Sequence, residues 1–339
     1  MARLLRDLRQ RASEAFGFDV THALVGRPVE FVGASTEADN EFALDRLRQA
    51  CALAGFTDVE FAMEPVAAAF AYRAGNDRPE TLLVGDFGGG TTDFSLLRLG
   101  PATPATNGGH GPGTSGGQVP GTTESQVLGT TGVGLAGDAF DARIVRRLIS
   151  PALGSDSMAR SLGKVLPALP AWVYSNLERW HTLSFLRTHA VRDMLRAAEM
   201  RALEPQKIAA LRTVVDHDLG YRLHGAVQRL KIELSTHDRA DFSLDAEAVH
   251  LHVSVERQEF ESWIAPELAR IERSLDTLLQ QTGVPATGVD RVFLTGGTSL
   301  VPAVRRVFTQ RFGESAVRGG EAFTSVAQGL ALMAESQQP

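Results

Sequence analysis

The sequence predicts an α/β fold divided into two lobes. Apolar strands alternate with amphipathic helices between Thr21 and Tyr72, which is typical of an α/β sheet. Two later apolar runs, 82–85 and 289–294, each lead into a glycine-rich turn. The chain has 339 residues, of which 43% are hydrophobic, and this is enough to build more than one core.

The opening part of the chain predicts helices and strands in alternation. Ser35 or Thr36 is a possible N-cap for one helix, Gly55 is its stop signal, and Pro65 suits the first turn of another helix. The predicted elements are, in order, a helix over 2–16, a strand over 21–25, a helix over 37–55, a strand over 58–62 and a helix over 66–72.

A β-hairpin with a polar tip is predicted around residues 86–93. The apolar run 82–85 precedes this segment, and the alternating run 94–99 follows it. The tip itself reads Asp-Phe-Gly-Gly-Gly-Thr-Thr-Asp. An ordinary glycine turn with solvated acids is one interpretation, but the two aspartates at this spacing favour a binding site.

The hairpin tip carries the residue types that bind a magnesium-bound phosphate chain. Glycines let a ligand approach the backbone closely, and successive N–H groups can form a nest for an anion. Carboxylates are hard oxygen ligands, which suit Mg²⁺ and its waters, and phosphoryl transfer uses both features. The residues in question are Gly88, Gly89, Gly90, Thr91, Thr92, Asp86 and Asp93.

Two further segments have the composition of a ligand site. Glu64 follows a predicted strand, where α/β sheets place ligands, and could hold a metal-bound water; the alternative is an acid at the positive end of a helix dipole. Gly296 and Gly297 allow a ring or ribose to lie against the backbone, although a plain β-to-α turn has the same composition.

The rest of the chain is mostly helical by pattern. The tract from Gly100 to Gly134 is rich in Gly, Pro, Thr and Ser, so a disordered loop is expected there. Residues 162–181 give no clear assignment. The other predictions are a helix over 138–149, a helical region over 185–234, a hairpin over 241–255, a helix over 259–281, a strand over 289–294 and a helix over 302–312.

Composition argues against several classes of protein. A net charge of −6 speaks against a dedicated nucleic-acid or membrane-surface binder. The single cysteine, Cys51, excludes an internal disulfide and a cysteine-based metal site. No apolar run is long enough for a membrane span, and the first residues lack the features of a signal peptide, so a cytoplasmic location is expected.

Five segments together resemble the DnaK-type, seventy-kilodalton heat-shock chaperone family. The hairpin tip resembles that family's Asp-Leu-Gly-Gly-Gly-Thr-Phe-Asp loop. The other matching segments are 64–72, similar to Glu-Pro-Thr-Ala-Ala-Ala-Leu-Ala-Tyr, then 134–141, 226–235 and 294–302. Residues 166–172 and 319–327 look like the YegD-like branch, whose members lack the peptide-binding domain.

The resemblance implies the actin-like ATPase fold, which is also described as ribonuclease-H-like, with lobe one incomplete and lobe two complete. It places a remnant of lobe one at 1–79 and the first part of the lobe-two core at 80–136, including the expected flexible loop 100–134. A smaller, mostly helical subdomain at 137–259 and the second part of the core at 260–339 follow.

The resemblance also implies a chaperone-like module that binds ATP or ADP with Mg²⁺. Slow hydrolysis of ATP stays open as an alternative. Asp86 and Glu64 would hold the ion through water, and Asp93 would orient the attacking water. Nucleotide is the expected ligand, with co-chaperones or unfolded protein as partners, and neither nucleic acid nor membrane. The implied catalytic residues are Glu64, Asp86, Thr91 and Asp93, and the implied nucleotide contacts are Gly88, Gly89, Gly90, Thr91, Thr92, Gly137, Gln228, Lys231, Gly296, Gly297 and Thr298.

The chain departs from the family pattern in ways that keep alternatives open. The family's first Asp-x-Gly-Thr-Thr loop and a lysine that reaches the γ-phosphate have no match here, which suggests a truncated lobe one, a misassigned start or completion by a separate piece. Leu300, Ile232 and Phe323 replace polar family residues, so adenine selectivity is open. A non-hydrolysing pseudo-ATPase or partner-binding module is the main alternative. A third hypothesis is a sugar or acetate kinase of the same superfamily, and the match at Glu64-Pro65 argues against it.

Overall fold

A computed structural model describes residues 1–29, 31, 34, 36–73, 79–100, 126–161, 164–246, 249–319 and 324–336. The chain divides into two compact units, neither of which is continuous in sequence. The first unit comprises Met1–Ala136, Arg270–Leu300 and Val304–Pro339, and the second comprises Gly137–Ala269 and Val301–Ala303.

The helices and strands follow one another in this order. The N-terminal elements are α1 (Ala2–Phe16), β1 (His22–Arg27), α2 (Glu37–Ala54), β2 (Asp58–Met63), α3 (Glu64–Arg73), β3 (Glu80–Phe87), β4 (Thr92–Leu99) and β5 (Gln126–Val133). The middle elements are α4 (Gly137–Ile144), a π-helix (Val145–Ile149), α5 (Ser150–Ala152), β6 (Met158–Ser161), β7 (Lys164–Pro167), α6 (Ala171–Leu177), a 3₁₀ helix (Trp180–Arg187), α7 (His189–Glu199), α8 (Pro205–Asp216) and α9 (Gly220–Thr236). The last elements are β8 (Arg239–Ala246), β9 (Val249–Glu256), α10 (Arg257–Thr282), a 3₁₀ helix (Ala286–Gly288), β10 (Arg291–Thr295), a 3₁₀ helix (Gly297–Leu300), α11 (Pro302–Phe312), β11 (Val317–Gly319) and α12 (Ser325–Ser336).

A five-stranded mixed sheet forms the centre of the first unit. Its strand order is β11-β10-β3-β4-β5, with β10 parallel to β11 and β3, and β4 antiparallel to β3 and β5. Phe87, Phe94 and Phe308 pack together beneath it, with ring centroids 5.8–5.9 Å apart. These fully buried rings fix the base of the β3–β4 hairpin.

A separate pair of parallel strands, β1 and β2, belongs to the same unit. Helix α2 begins at a capping box, in which the Thr36 hydroxyl accepts the Asp39 amide and the Asp39 carboxylate accepts the Thr36 amide. Helices α1 and α2 both end at a glycine with positive φ, Gly17 and Gly55. The local signals of the sequence therefore set both ends of α2.

Helices α3 and α12 cross at a very short distance inside the first unit. A Cβ built on Gly329 would lie 1.7 Å from the Ala67 carbonyl oxygen, so only glycine permits this approach. Ala67, Ala68 and Met333 are buried at the crossing. The crossing holds α3, and with it Glu64 at the start of α3, against the sheet.

Helices dominate the second unit, together with the antiparallel hairpins β6–β7 and β8–β9. Phe140 and Phe260 pack edge to face in its core, with centroids 6.5 Å apart. No helix in the described part of the chain combines the length and the apolar character needed to cross a membrane.

The structure corrects several predicted boundaries. The disordered loop predicted over 100–134 is wrong for Gln126–Val133, because this segment forms β5 and pairs with β4; residues 101–125 lie outside the described residues. The predicted helix 138–149 changes to a π-helix at Val145. The helical region 185–234 is divided into a 3₁₀ helix and three α-helices, and the unassigned stretch 162–181 holds β7 and α6. The hairpins around 86–93 and over 241–255 are confirmed.

Candidate functional site

The β3–β4 hairpin brings its two aspartates together. Asp86 pairs with Asp93 across the strands, and Phe87 pairs with Thr92 at the next position. Residues directly opposite each other in an antiparallel pair point to the same face of the sheet. The two carboxylates therefore lie on one face, at the base of a turn whose glycines are exposed.

The turn offers fewer free amides than its three glycines suggest. The Gly88 amide donates to the Thr91 carbonyl at 3.0 Å and closes the turn. Among the described residues, the amides of Gly89 and Gly90 have no protein acceptor. The buried Thr92 hydroxyl donates to the Leu135 carbonyl at 2.8 Å. The donors that face solvent are therefore the Gly89 and Gly90 amides, while Gly88 and Thr92 shape the turn.

Glu64 joins the two aspartates to form a cluster of acids. Burial raises the pKa of Glu64 to about 7, and the charges of Asp86 and Asp93 add to this effect. Burial also raises the pKa of Asp86, against the opposing effect of a hydrogen bond from the Phe87 backbone. Asp93 is only 4% exposed. Three carboxyl groups in one partly desolvated place repel each other unless protons or a cation neutralise them.

The turn after β10 rests on the hairpin tip. Strand β10 runs parallel to β3, with Thr295 opposite Asp86. Gly296 has φ +84, and a Cβ there would lie 2.2 Å from the Phe87 carbonyl oxygen. The Thr298 hydroxyl donates to the Gly88 carbonyl at 3.1 Å. The two glycine-rich turns therefore form one continuous backbone surface beside the acids.

The residues predicted to contact the nucleoside from the helical part belong to the second unit. The Lys231 ammonium lies 2.7 Å from the Asp141 carboxylate and donates to the Gly137 carbonyl at 3.3 Å. Burial raises the pKa of Asp141, and the Lys231 charge opposes this shift. Gln228 is exposed. The Lys231 charge is therefore balanced within the protein.

The three positions at which the sequence departs from the family pattern are either exposed or outside the described residues. Ile232 is 64% exposed in the second unit, and Leu300 is 57% exposed in the first unit. Phe323 lies outside the described residues. Both described side chains are apolar and open to solvent, where the family pattern has polar residues.

The acid cluster suits a magnesium ion that is held through water. Its donors are hard carboxylate oxygens, which Mg²⁺ prefers. Neither Glu64 nor Asp86 forms an ion pair with a lysine or arginine in the described part of the chain. No group of three or more acidic, histidine or cysteine side chains converges on one ion position within the described residues. Because Mg²⁺ commonly keeps several of its waters, carboxylates that do not converge on one ion position still fit it.

Two features were not predicted from the sequence. The contact between Thr298 and Gly88 joins residues that are far apart in the chain, and no local pattern reports it. Asp141 has no predicted role, although it lies in the family-like segment 134–141, and an acid there is a signal for a partner of Lys231.

A shallow open groove of about 620 Å³ lies on the second unit. It is lined by Arg196, Glu199, Met200, Ala202, Pro205 and Arg212. None of these belongs to the predicted nucleotide site. Arg212 is paired with Glu199 and Asp216, and Arg196 with Asp193, so the groove carries no unbalanced charge.

Comparison with known proteins identifies the family. Residues 1–118 and 205–339 match the family model described as Hsp70 protein. The chain belongs to the Hsp70 family. Residues 119–204 lie outside the match, so the Hsp70 pattern does not account for β5 to α7.

Several chaperones are similar to this chain over 98% of its length. The HscA homolog of Verminephrobacter eiseniae is 28% identical over 335 residues, which is 40% of that protein. The DnaK proteins of Thermus thermophilus and Deinococcus deserti are 27% and 26% identical, over 42% and 41% of their lengths. The chain therefore spans about two fifths of the length of the curated relatives it matches.

Proposed function

We propose that the first unit binds the magnesium-bound phosphates of ATP or ADP at the tip of the β3–β4 hairpin. The observation that carries this proposal is the gathering of three acids beside two free backbone amides. Burial raises the pKa of Glu64 to about 7, with a smaller contribution from the charges of Asp86 and Asp93, so the ionised acids here are disfavoured unless a cation neutralises them. Membership of the Hsp70 family supports the same ligand.

Each residue of the tip has a distinct part in this proposal. Asp86 and Glu64 would hold waters of the ion. The amides of Gly89 and Gly90 and the Thr91 hydroxyl donate to phosphate oxygens, and Asp93 accepts from the attacking water and orients it. When bound, Mg²⁺ neutralises the charge that develops on the phosphates during transfer.

The remaining contacts are proposed for the nucleoside. Gly296, Gly297 and Thr298 present a flat backbone surface in the first unit, and Gly296 can be no other residue without a collision with Phe87. Gly137, Gln228 and Lys231 are the candidates in the second unit. The pair between Lys231 and Asp141 holds the ammonium in a fixed place, so a ligand there meets a neutral pair rather than a free cation.

Binding without turnover is the second candidate function, and the distribution of lysines favours it. The chain has three lysines, Lys164, Lys207 and Lys231, and all lie in the second unit. The first unit itself therefore supplies no lysine to the phosphates. Phosphoryl transfer depends on cationic groups around the transferred group, so we expect slow hydrolysis or none.

The wider role is proposed from the resemblance alone. The segment 166–172 supports assignment to the YegD-like branch. A chaperone-like role in the cytoplasm, with co-chaperones or unfolded protein as partners, extends this proposal.

A nucleotide-binding assay with matched variants tests the proposal. Titration of the full chain with a fluorescent ATP analogue, with and without Mg²⁺, should give binding that depends on the ion and that Asp86→Ala abolishes. Asp45→Ala, which removes an exposed acid from α2 in the same unit, should bind like the unmodified chain. Equal binding by both variants would exclude the proposed site.

Phosphate release from the same samples separates the two candidate functions. Turnover by the unmodified chain that is lost in Asp93→Ala would identify an ATPase. Binding without release of phosphate would identify the second candidate. Release that persists in both Asp86→Ala and Asp93→Ala would show that the activity comes from a contaminant.

A further inference from the structure

The hairpin β6–β7 is part of a larger ladder in the second unit. Ala159 of β6 forms a bridge with Ala202, which lies in the turn between α7 and α8. The Arg160 amide donates to the Arg201 carbonyl at 3.2 Å, and the Leu203 amide donates to the Met158 carbonyl at 2.7 Å. Strand β6 is therefore bonded on both sides, and β7 is the outer strand.

The outer edge of β7 presents free backbone groups. The Ala168 amide donates to the Ser157 carbonyl, which makes this a hydrogen-bonded position of the hairpin. Bonded and non-bonded pairs alternate along an antiparallel ladder, which makes Arg160 and Val165 a non-bonded pair. The Val165 N–H and C=O consequently point away from β6. Within the described residues no third strand pairs with β7.

Three exposed cations lie on the ladder that ends at this edge, with Lys164 on β7, Arg160 on β6 and Arg201 on the segment beyond β6. Arg160, Lys164 and Arg201 have no acidic partner among the described residues. Nearby cations differ, because Lys207 is paired with Asp156 and Glu204. The ladder places Arg160, Val165 and Arg201 on one face and Lys164 on the other. Both faces of the edge therefore carry unbalanced positive charge.

Apolar side chains are exposed on the same ladder. Val165 is 53% exposed, Leu166 is 50% exposed and Leu203 is 49% exposed. All four residues of β7 are exposed, and Pro167 ends the strand. These residues belong to the segment that the Hsp70 pattern leaves unmatched.

We propose that β7 binds an extended acidic segment of a partner protein, which adds a strand to its outer edge. Free N–H and C=O groups recognise an extended backbone, and alternating acidic and apolar side chains complement the cations and the exposed valine and leucine. A second copy of this chain fits poorly, because pairing β7 with itself would bring like-charged Lys164 side chains close together. Nucleic acid is disfavoured by the net charge of −6 and by the need for a backbone donor and acceptor.

A peptide titration on the full chain tests this inference. The probe is a fluorescein-labelled peptide of four glutamate–valine repeats with blocked ends, followed by fluorescence anisotropy. We expect a dissociation constant on the order of 100 µM. Binding this weak depends on all the contacts along the edge, so the loss of one kind of contact should be measurable. A peptide with lysine in place of glutamate, or with N-methylated valines, should bind at least tenfold more weakly.

Variants of the chain separate charge from backbone pairing. Arg160→Glu combined with Arg201→Glu should weaken binding at least tenfold, and Val165→Pro should do the same by removing the edge N–H. Arg179→Glu, which reverses another exposed cation of the second unit, should leave binding unchanged. Circular dichroism confirms that each variant keeps its fold.

Other outcomes overturn the inference. Binding that Val165→Pro and the N-methylated probe leave unchanged would show that strand addition is wrong. Tighter binding of single-stranded DNA or of anionic vesicles than of the acidic peptide would show that the surface recognises another class of partner. The Asp86→Ala variant should bind the probe normally, so failure of the nucleotide proposal leaves this result intact.

Discussion

Two regions of the first unit bury their residues to very different extents. In the five-stranded sheet, β4 is almost continuously buried, and Phe94 and Leu96 are fully enclosed. In the β1–β2 region no residue of β1 is buried, and none of α1 is buried either, although every residue of both is described. Parallel strands are usually covered on both faces. The first region is thus held by burial, and the second depends on local signals such as helix caps.

The largest difference is expected between two phenylalanines. Phe94→Ala empties a fully buried site in the sheet and should destabilise the protein by about 3–5 kcal/mol. Phe42→Ala removes a ring of α2 that is 65% exposed, and should change stability by less than about 0.5 kcal/mol. Urea denaturation measures both. Similar losses of stability in the two variants would mean that the two regions are packed equally tightly.

A smaller but still large effect is expected at the joined glycine turns. Gly296→Ala introduces a Cβ that would lie 2.2 Å from the Phe87 carbonyl oxygen and strains a backbone with φ +84. We expect a loss of about 2–4 kcal/mol, together with weaker nucleotide binding. Gly134→Ala is the matched control, because its Cβ would meet nothing within 4 Å. A neutral Gly296→Ala would contradict the contact between the turns.

The acid cluster predicts how stability depends on pH. The pKa of Glu64 rises from 4.5 to about 7 on folding, so between these values the native state holds a proton that the unfolded state has lost. Stability should therefore fall as pH rises through this window, by up to about 3 kcal/mol. Thermal unfolding from pH 4.5 to pH 7.5, without Mg²⁺, measures the slope.

Glu64→Gln is the control for the pH prediction. It removes the titrating group, so its stability should change less than that of the unmodified chain across the same range. Addition of Mg²⁺ and ATP to the unmodified chain should offset the loss at pH 7, because a bound cation favours the ionised acids. An unchanged slope in Glu64→Gln would place the titrating group elsewhere.

The smallest effect is expected in the exposed region. Thr36→Ala removes the side-chain half of the capping box at the start of α2 and should cost about 1 kcal/mol. Thr57→Ala changes an exposed threonine in the same region and should be neutral. Helix content and urea midpoints check the pair. If Thr36→Ala costs nothing, local capping does not hold this region.

Local patterns in the sequence predicted much of the fold. They failed for segments whose conformation depends on the strand with which they pair. The hairpin at Asp86 and Asp93 and the ends of α2 at Thr36 and Gly55 carry strong turn and cap signals, and all are confirmed. Strand β5 was missed because Gly129 and Gly132 lower its strand signal. Its stability comes from pairing with β4 and from the close approach of α10, whose Thr282 leaves no room for a side chain at Gly129.

The candidate site likewise combines features that the local sequence predicted with features that it did not. Residue types and spacing indicated the acids and glycines of the tip, and the structure brings Glu64, Asp86 and Asp93 together. The bond from the Gly88 amide to Thr91 and the bond between Lys231 and Asp141 depend on backbone geometry and on contacts distant in sequence. A list of residue types cannot distinguish a donor that faces solvent from one that closes a turn.

The discontinuity of the first unit has a consequence for synthesis on the ribosome. Strands β3 to β5 emerge long before β10 and α12, which complete the sheet and the crossing at Gly329. At about 5–20 residues per second, the half-made sheet waits roughly 10–40 s with its apolar side chains uncovered. The helical unit encoded between these parts can fold during that interval. We therefore expect the nascent chain to pass through a stage in which exposed apolar surface and unpaired strand edges make it prone to aggregate.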